Sequence, residues 1–457
     1  MENQNKKSFK WLWVTIAAVV VSALVAWCVY NAVSKNSVDT VFKFSGTAVL
    51  FILVFVIVSL GYLLGSITIK GVNLGTAGVF LVAILFGFLC TLDFGSVAVL
   101  GAFHTNVHSV ASTMGGPIQN LGLIMFVGSV GLIAGPNFFK NLKKNFKTYI
   151  LLGAIIILSS TAVAVLFTVC TDFGPGFWAG ILSGALTTTP GFSAAQEAVI
   201  SKYPGIDLSV IKELPEYVNI TIGHAIAYPF GVVGVVLFVQ LMPKILKVDM
   251  EKERLLLKIG GEEEIKDYKG LFQIEPFGIV PIAISVVCGL ILGAIKIPLF
   301  DGSSFSLGTT GGVLIMGLIF GHFGKIGKLS LQVPESTLKL LREFGLMLFL
   351  LGAGFEGGVK LVDAISKNPE LVPFGFIGGA LMTVVPMIVG FILAKYAMKM
   401  PLLNALGSIT GGMTSTPALG TLIGTAKTED VASAYASTYP IALVLVVLAC
   451  QLMITLM

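Results

Sequence analysis

Charged side chains are scarce in this chain: Asp, Glu, Lys and Arg make up 12% of its 457 residues. A soluble domain carries roughly a quarter. No polar stretch is long enough to fold as a separate catalytic domain; the longest is a linker at 243–274. Histidine occurs only four times and cysteine five. Cys28, Cys90, Cys170, Cys288 and Cys450 stand singly in or beside apolar blocks, without metal-ligand spacing, and read as buried free thiols. A phosphate-binding glycine loop, an arginine ladder, a selectivity-filter sequence, a His/Glu metal motif and a Ser/His/Asp grouping are all missing. Their absence argues against an ATP-driven pump, a voltage sensor and an intramembrane enzyme. Nothing points to a bound cofactor or to nucleic acid.

Hydrophobic residues are abundant, at 55%. They gather in blocks of about 17 to 28, long enough to cross a hydrocarbon core of roughly 30 Å as helices. Such lengths, without alternation, exclude strands, so the expected class is an all-α polytopic membrane protein. Lys6, Lys7 and Lys10 precede a first block, Trp11 to Val33, which has no small-residue cleavage site. It reads as an uncleaved anchor helix within a segment 1–36. A first unit, 37–242, holds blocks near 47–68, 75–91, 117–138, 148–170, 175–200 and 217–242. The charged linker follows. A second unit, 275–457, holds blocks near 277–297, 307–324, 336–357, 372–396, 402–424 and 434–457.

The second unit repeats the first. Gly61-Tyr-Leu-Leu-Gly65-Ser-Ile matches Gly289-Leu-Ile-Leu-Gly293-Ala-Ile, and Leu74-Gly75-Thr76 matches Leu307-Gly308-Thr309. Phe86-Gly87 matches Phe320-Gly321, and Gly122, Phe126 and Gly131 recur as Gly345, Phe349 and Gly354. The stretch 183–190, ending Thr187-Thr188-Thr189-Pro190, matches 410–417, ending Thr414-Ser415-Thr416-Pro417. Tyr228-Pro229 matches Tyr439-Pro440. Recurring membrane glycines explain single matches but not their common order.

Charge then sets the expected geometry. If all six blocks of a unit spanned, the basic linker would lie outside, against the positive-inside tendency. If the proline-broken fifth block instead enters and returns on one side, each unit has five spans plus a re-entrant hairpin. The units are then inverted, with the N-terminus and linker 243–274 cytoplasmic and the C-terminus outside. Inverted repeats whose broken segments meet near the midplane are a transporter architecture.

The broken segments carry the chemistry. Proline removes a donor and stops the helix, freeing backbone groups at bilayer depth, where they must line a cavity or bind something. Thr187, Thr188, Thr189, Pro190 and Gly191 in one unit, with Thr414, Ser415, Thr416, Pro417 and Ala418 in the other, form the expected substrate site. Hydroxyls serve as donors and acceptors, and the new helix after each proline offers a positive end to an anion. The plainer alternative is a Thr-Pro kink in a packing helix. Ionisable groups at depth are costly and mark function. Candidates for coupling or gating are Glu197, otherwise an interfacial carboxylate, and His224, otherwise a hydrogen-bonded structural histidine. Arg342, with Glu343, replaces Gln119 and Asn120 of the first unit and otherwise forms a local ion pair. Tyr228 and Tyr439 complete the set. Glu356 is expected near the interface, and His104, His108 and His322 in loops or helix ends.

These motifs resemble the aspartate:alanine exchanger family over roughly 47–457: Gly-x-x-x-Gly at the first helix end, Leu-Gly-Thr before the second, and Gly-x-x-Thr-[Ser/Thr]-Thr-Pro in the broken segment. The broken segments are distantly similar to those of sodium/glutamate symporters. The resemblance implies exchange of small carboxylates or amino acids such as aspartate, alanine or succinate across a bacterial cytoplasmic (inner) membrane. It also implies a scaffold with a moving, elevator-type transport domain, and a homodimer. Many members carry regulatory domains in the central loop; this chain has only the short linker there. A sodium- or proton-coupled symporter is the alternative, with Na+ or H+ as coupling ion, and a channel or membrane sensor is a third reading.

Overall fold

The computed structural model describes residues 46–69, 72–73, 75–91, 110–258, 271–298, 304–305 and 307–457. The expected anchor helix 11–33, His104 and His108 lie outside them. Among the described residues the regular secondary structure is helical apart from three short hairpins with two-residue strands. Seven helical stretches of the described residues are long and apolar enough to cross a membrane, and three more apolar helices there are shorter. The protein is a multi-pass all-α membrane protein.

Helix α1 (Gly46–Ser66) leads through a hairpin, β1 (Thr68–Ile69) and β2 (Val72–Asn73), to α2 (Ala77–Thr91). Glycine sets their approach: a Cβ on Gly78 would strike the Gly61 carbonyl and Gly65. Helix α3 follows (Gln119–Cys170), then α4 (Gly174–Ala185), α5 (Thr189–Lys202) and α6 (Pro215–Ile245). A short polar helix, α7 (Met250–Lys258), opens the linker. Beyond it come α8 (Ile279–Ala294), a hairpin of β3 (Ile297–Pro298) with β4 (Ser304–Phe305), and α9 (Gly308–Phe323). A third hairpin, β5 (Lys325–Ile326) with β6 (Leu329–Ser330), leads to α10 (Glu335–Lys367) and α11 (Leu371–Ile392). The chain ends with α12 (Leu402–Gly412), α13 (Thr416–Ala426) and α14 (Val431–Leu456).

Blocks 117–138 and 148–170 stand as two candidate spans, Val110–Pro136 and Lys147–Cys170, and the helix α3 runs on between them without a break. Its middle, Asn137 to Lys147, contains neither glycine nor proline to stop a helix. The corresponding junction in the second unit holds Pro369, and there α10 ends and α11 begins anew. Gln119 faces Gly352 and Phe126 faces Gly345, whereas Ile156 faces Gly390 and Ser160 bonds the Met382 carbonyl at 3.0 Å. The first part is therefore antiparallel to α10 and the second to α11.

Packing sorts the helices into two bundles. The first contains α1, α2, the opening part of α3, α8, α9 and α10. The second contains the closing part of α3, the broken pairs α4/α5 and α12/α13, and α6, α11 and α14. The largest buried core lies mainly in the second bundle, around Trp178, Phe177, Ile156 and Tyr435.

Candidate functional site

Small residues position the first broken pair. Gly176, Gly180 and Gly184 recur every four residues on one face of α4, where a Cβ would strike the carbonyls of Glu216, Ile220 and His224. Helices α4 and α6 therefore run side by side in the same direction with backbones in contact. Helix α5 comes back along α6: the Phe192 ring lies 4.5 Å from that of His224, Gln196 Nε2 is 3.4 Å from Thr221 Oγ1, and Lys202 Nζ is 2.9 Å from Glu216 Oε1. Gly176 and Lys202, the two ends of the pair, meet at Glu216. The segment turns back on itself.

The second pair is built alike. Gly407 and Gly411 set α12 against Val431 and Tyr435 of α14. Its start and end meet at α7: Glu253 Oε2 accepts from the Leu402 amide at 2.7 Å, while Lys427 and Thr428 share a cavity wall with Glu251 and Arg254. Glu216 opens α6 and α7 follows its end, so the bases of the two pairs lie at opposite ends of α6.

At each break the same backbone recurs. Thr187 N bonds Gly184 O at 2.9 Å and Thr188 N bonds Ser183 O at 2.9 Å; Thr414 N bonds Gly411 O at 3.0 Å and Ser415 N bonds Thr410 O at 3.0 Å. These are Schellman closures, which place one residue in the left-handed region. Here that residue is a threonine, at φ 53° for Thr187 and 49° for Thr414. The two tips touch: the Thr414 hydroxyl donates to Leu186 O at 2.5 Å and the Thr187 hydroxyl to Thr414 O at 3.3 Å. Thr188 caps α5 by accepting from the Gly191 amide at 3.3 Å. Ser415 holds the same capping position on α13 but makes no cap bond, and its buried hydroxyl has no partner among the described residues.

The structure thus brings Thr187, Thr188, Thr414, Ser415 and Thr416 together as a buried hydroxyl cluster, with Gly191, Pro417 and Ala418 buried behind them. Thr189 is exposed and Pro190 half-buried beside Gly308. Glu197 stands on the exposed face of α5, away from the tips. Ser183 gives its proton to the Gly180 carbonyl at 2.8 Å, so at 2.9 Å it accepts from His224 Nδ1. That bond ties His224 to the first tip helix. Tyr228 faces Phe80 of α2, ring centres 6.0 Å apart, and the Tyr439 hydroxyl meets Thr310 of α9. Both tyrosines therefore stand where the bundles meet. Arg342 is buried in α10, paired with Glu343 at 2.7 Å and with Glu429 beyond α13. It joins the two bundles near the linker, not at the tips. Sequence reasoning missed Tyr435, which faces Gly411 as His224 faces Gly184 and stacks on Tyr439 at 5.3 Å. Its signal was its place four residues before Tyr439, as His224 precedes Tyr228.

No group of three or more His, Cys, Asp or Glu that could hold a metal occurs among the described residues. A multi-pass helical protein whose broken helices converge on a hydroxyl cluster has the form of a membrane transporter. A family described as "Predicted Permease Membrane Region" matches residues 53–244 and 281–455, and the chain belongs to it. The gap in the match is the linker. Similar proteins are named uncharacterised transporters: one from Bacteroides thetaiotaomicron, 27% identical over 87% of this chain and 96% of its own length, and one from Bacteroides fragilis, 26% identical over 88% and 97%. A third, from Desulfotalea psychrophila, is 25% identical over 88% and 96%. Their alignments run to 552, 556 and 566 positions, more than this chain has, so these relatives carry segments that it lacks.

Proposed function

We propose that the protein is a secondary active transporter that exchanges small carboxylates or amino acids, of the kind of aspartate, alanine and succinate. Its two units are inverted repeats of five spans and one re-entrant hairpin. The paired tips form the substrate site, and the bundle that carries them moves against the other as an elevator. One observation carries this reading: two helical pairs, based at opposite ends of α6, meet tip to tip through hydroxyls and carbonyls. Backbone left unpaired at membrane depth is tolerated where it lines a solute path. The chain would sit in a bacterial cytoplasmic membrane, linker inside and C-terminus outside, as a homodimer.

Counterflow in proteoliposomes tests it. Vesicles preloaded with unlabelled aspartate, alanine or succinate should take up the labelled compound faster than empty ones, and Thr416→Val should abolish this while expression persists. Absence of counterflow for all three compounds, or an unaffected variant, would count against the site. A coupled symporter is the second reading, favoured by the His224–Ser183 bond inside the moving bundle. Uptake into empty vesicles that depends on sodium or pH would select it.

A further inference from the structure

Where α6 gives way to the linker, a cavity of about 590 Å³ opens between the two bundles. One wall is Gly75, Thr76 and Glu343 of the first bundle; the other is the end of α6 and one face of α13. Its lining charges are three lysines, Lys244, Lys247 and Lys427, and one carboxylate, Glu343. That carboxylate already receives Arg342 at 2.7 Å. The cavity is therefore positive. Lys247 and Lys427 are exposed, and neither makes an ion pair among the described residues.

Those two lysines share with Lys399 a backbone conformation that few residues other than glycine adopt. Lys247 follows α6 and Lys427 follows α13, each in the left-handed region at φ 51°, where glycine sits without strain. A cation at a helix end interacts well with the free carbonyls there, which would explain either lysine alone. It does not explain why two such ends, from different units, converge on one cavity. The α13 wall is a stripe of Gly420, Thr421, Gly424 and Thr425, free of bulky side chains. Thr416 at the tip lies four residues deeper, about 6 Å along the helix.

We infer that this cavity is an anion-accepting vestibule, in which Lys247 and Lys427 capture a small solute through its free carboxylate and deliver it along α13 to the tips. Delivery rests on the transport reading above; capture does not. A lipid headgroup phosphate has the same charge chemistry, so the experiment must separate the two sources.

Thr425→Cys, in nanodiscs of neutral lipid, places a thiol on the cavity wall. Its modification rates by anionic sulfonatoethyl and cationic trimethylammonium methanethiosulfonates are taken as a ratio. That ratio is referred to the one at an exposed Ser201→Cys, which cancels intrinsic reactivity, after subtraction of the parent's own cysteines. A focused positive field should favour the anionic reagent by about tenfold. Lys247→Gln with Lys427→Gln should bring the ratio close to one, Lys427→Arg should keep it, and succinate should protect the thiol where neutral succinamide does not. A ratio equal to the reference, or unchanged by the two glutamines, overturns the inference. So does protection by phosphatidylglycerol without protection by succinate, which assigns the site to lipid. Anion preference without any counterflow would instead sink the transport reading and leave the vestibule standing.

Discussion

Thr187 and Thr414 occupy backbone conformations that suit glycine. A β-branched residue in the left-handed region costs on the order of 1–3 kcal/mol, and such strain persists where the surroundings enforce it. Each unit retains threonine there, and each hydroxyl reaches across to the opposite tip. If these hydroxyls were structural bonds only, replacing them should weaken the fold. If they serve solute recognition, stability and activity should separate. Thr187→Gly and Thr414→Gly are therefore expected to keep the unfolding temperature of the detergent-solubilised protein, followed by intrinsic fluorescence, while counterflow falls at least tenfold. A clear drop in unfolding temperature with residual counterflow would assign the hydroxyls to packing. Ser415 sharpens the contrast, because its buried hydroxyl has no partner among the described residues and is open to a ligand.

At the scale of elements, close backbone contact decides how the broken pairs sit. A Cβ on Gly180 would press on the Ile220 carbonyl and Cα, and neither can move without shifting α6. Overpacking of this kind costs typically about 1–3 kcal/mol. Gly180→Ala should lower the unfolding temperature and yield, while Gly357→Ala, where a Cβ meets nothing within 4 Å, should leave both unchanged or improved. Equal effects from the two would mean that the glycine face does not set the approach. The Thr-Pro breaks were legible in the sequence, because proline defines an interruption; the glycine face emerged only when α4 was seen against α6. The continuity of α3 was legible only in retrospect: a run of Lys, Asn and Phe looks like a loop by polarity, yet contains nothing that stops a helix. The hydroxyl bridge between residues 227 positions apart was not legible, since it depends on how two units dock. Arg342 stood out as an intramembrane charge, but its partner Glu429 follows α13 in the other bundle and only the fold joins them.

Across the whole molecule, the position of the two bases relative to the membrane separates a carrier from a bundle of kinked spans. Lys202 and Gly176 meet at one end of α6, and Leu402 and Thr428 meet at α7 beyond the other. Were the broken segments ordinary spans, the two ends of each would face opposite sides of the bilayer. Asp172, Lys202, Lys399 and Lys427 are all exposed, so a cysteine at each can report its side with a membrane-impermeant maleimide. With the basic linker inside, Asp172→Cys and Lys202→Cys should both be labelled in intact cells. Lys399→Cys and Lys427→Cys should be labelled only in inverted vesicles. Labelling of Asp172→Cys and Lys202→Cys from opposite sides would remove the first re-entrant hairpin, and the inverted repeat with it. The expected pattern leaves two hairpins entering from opposite faces to a common meeting point. If, as proposed, the tip-bearing bundle moves toward the other face, the Arg342–Glu429 pair, one partner in each bundle near the linker, would have to part.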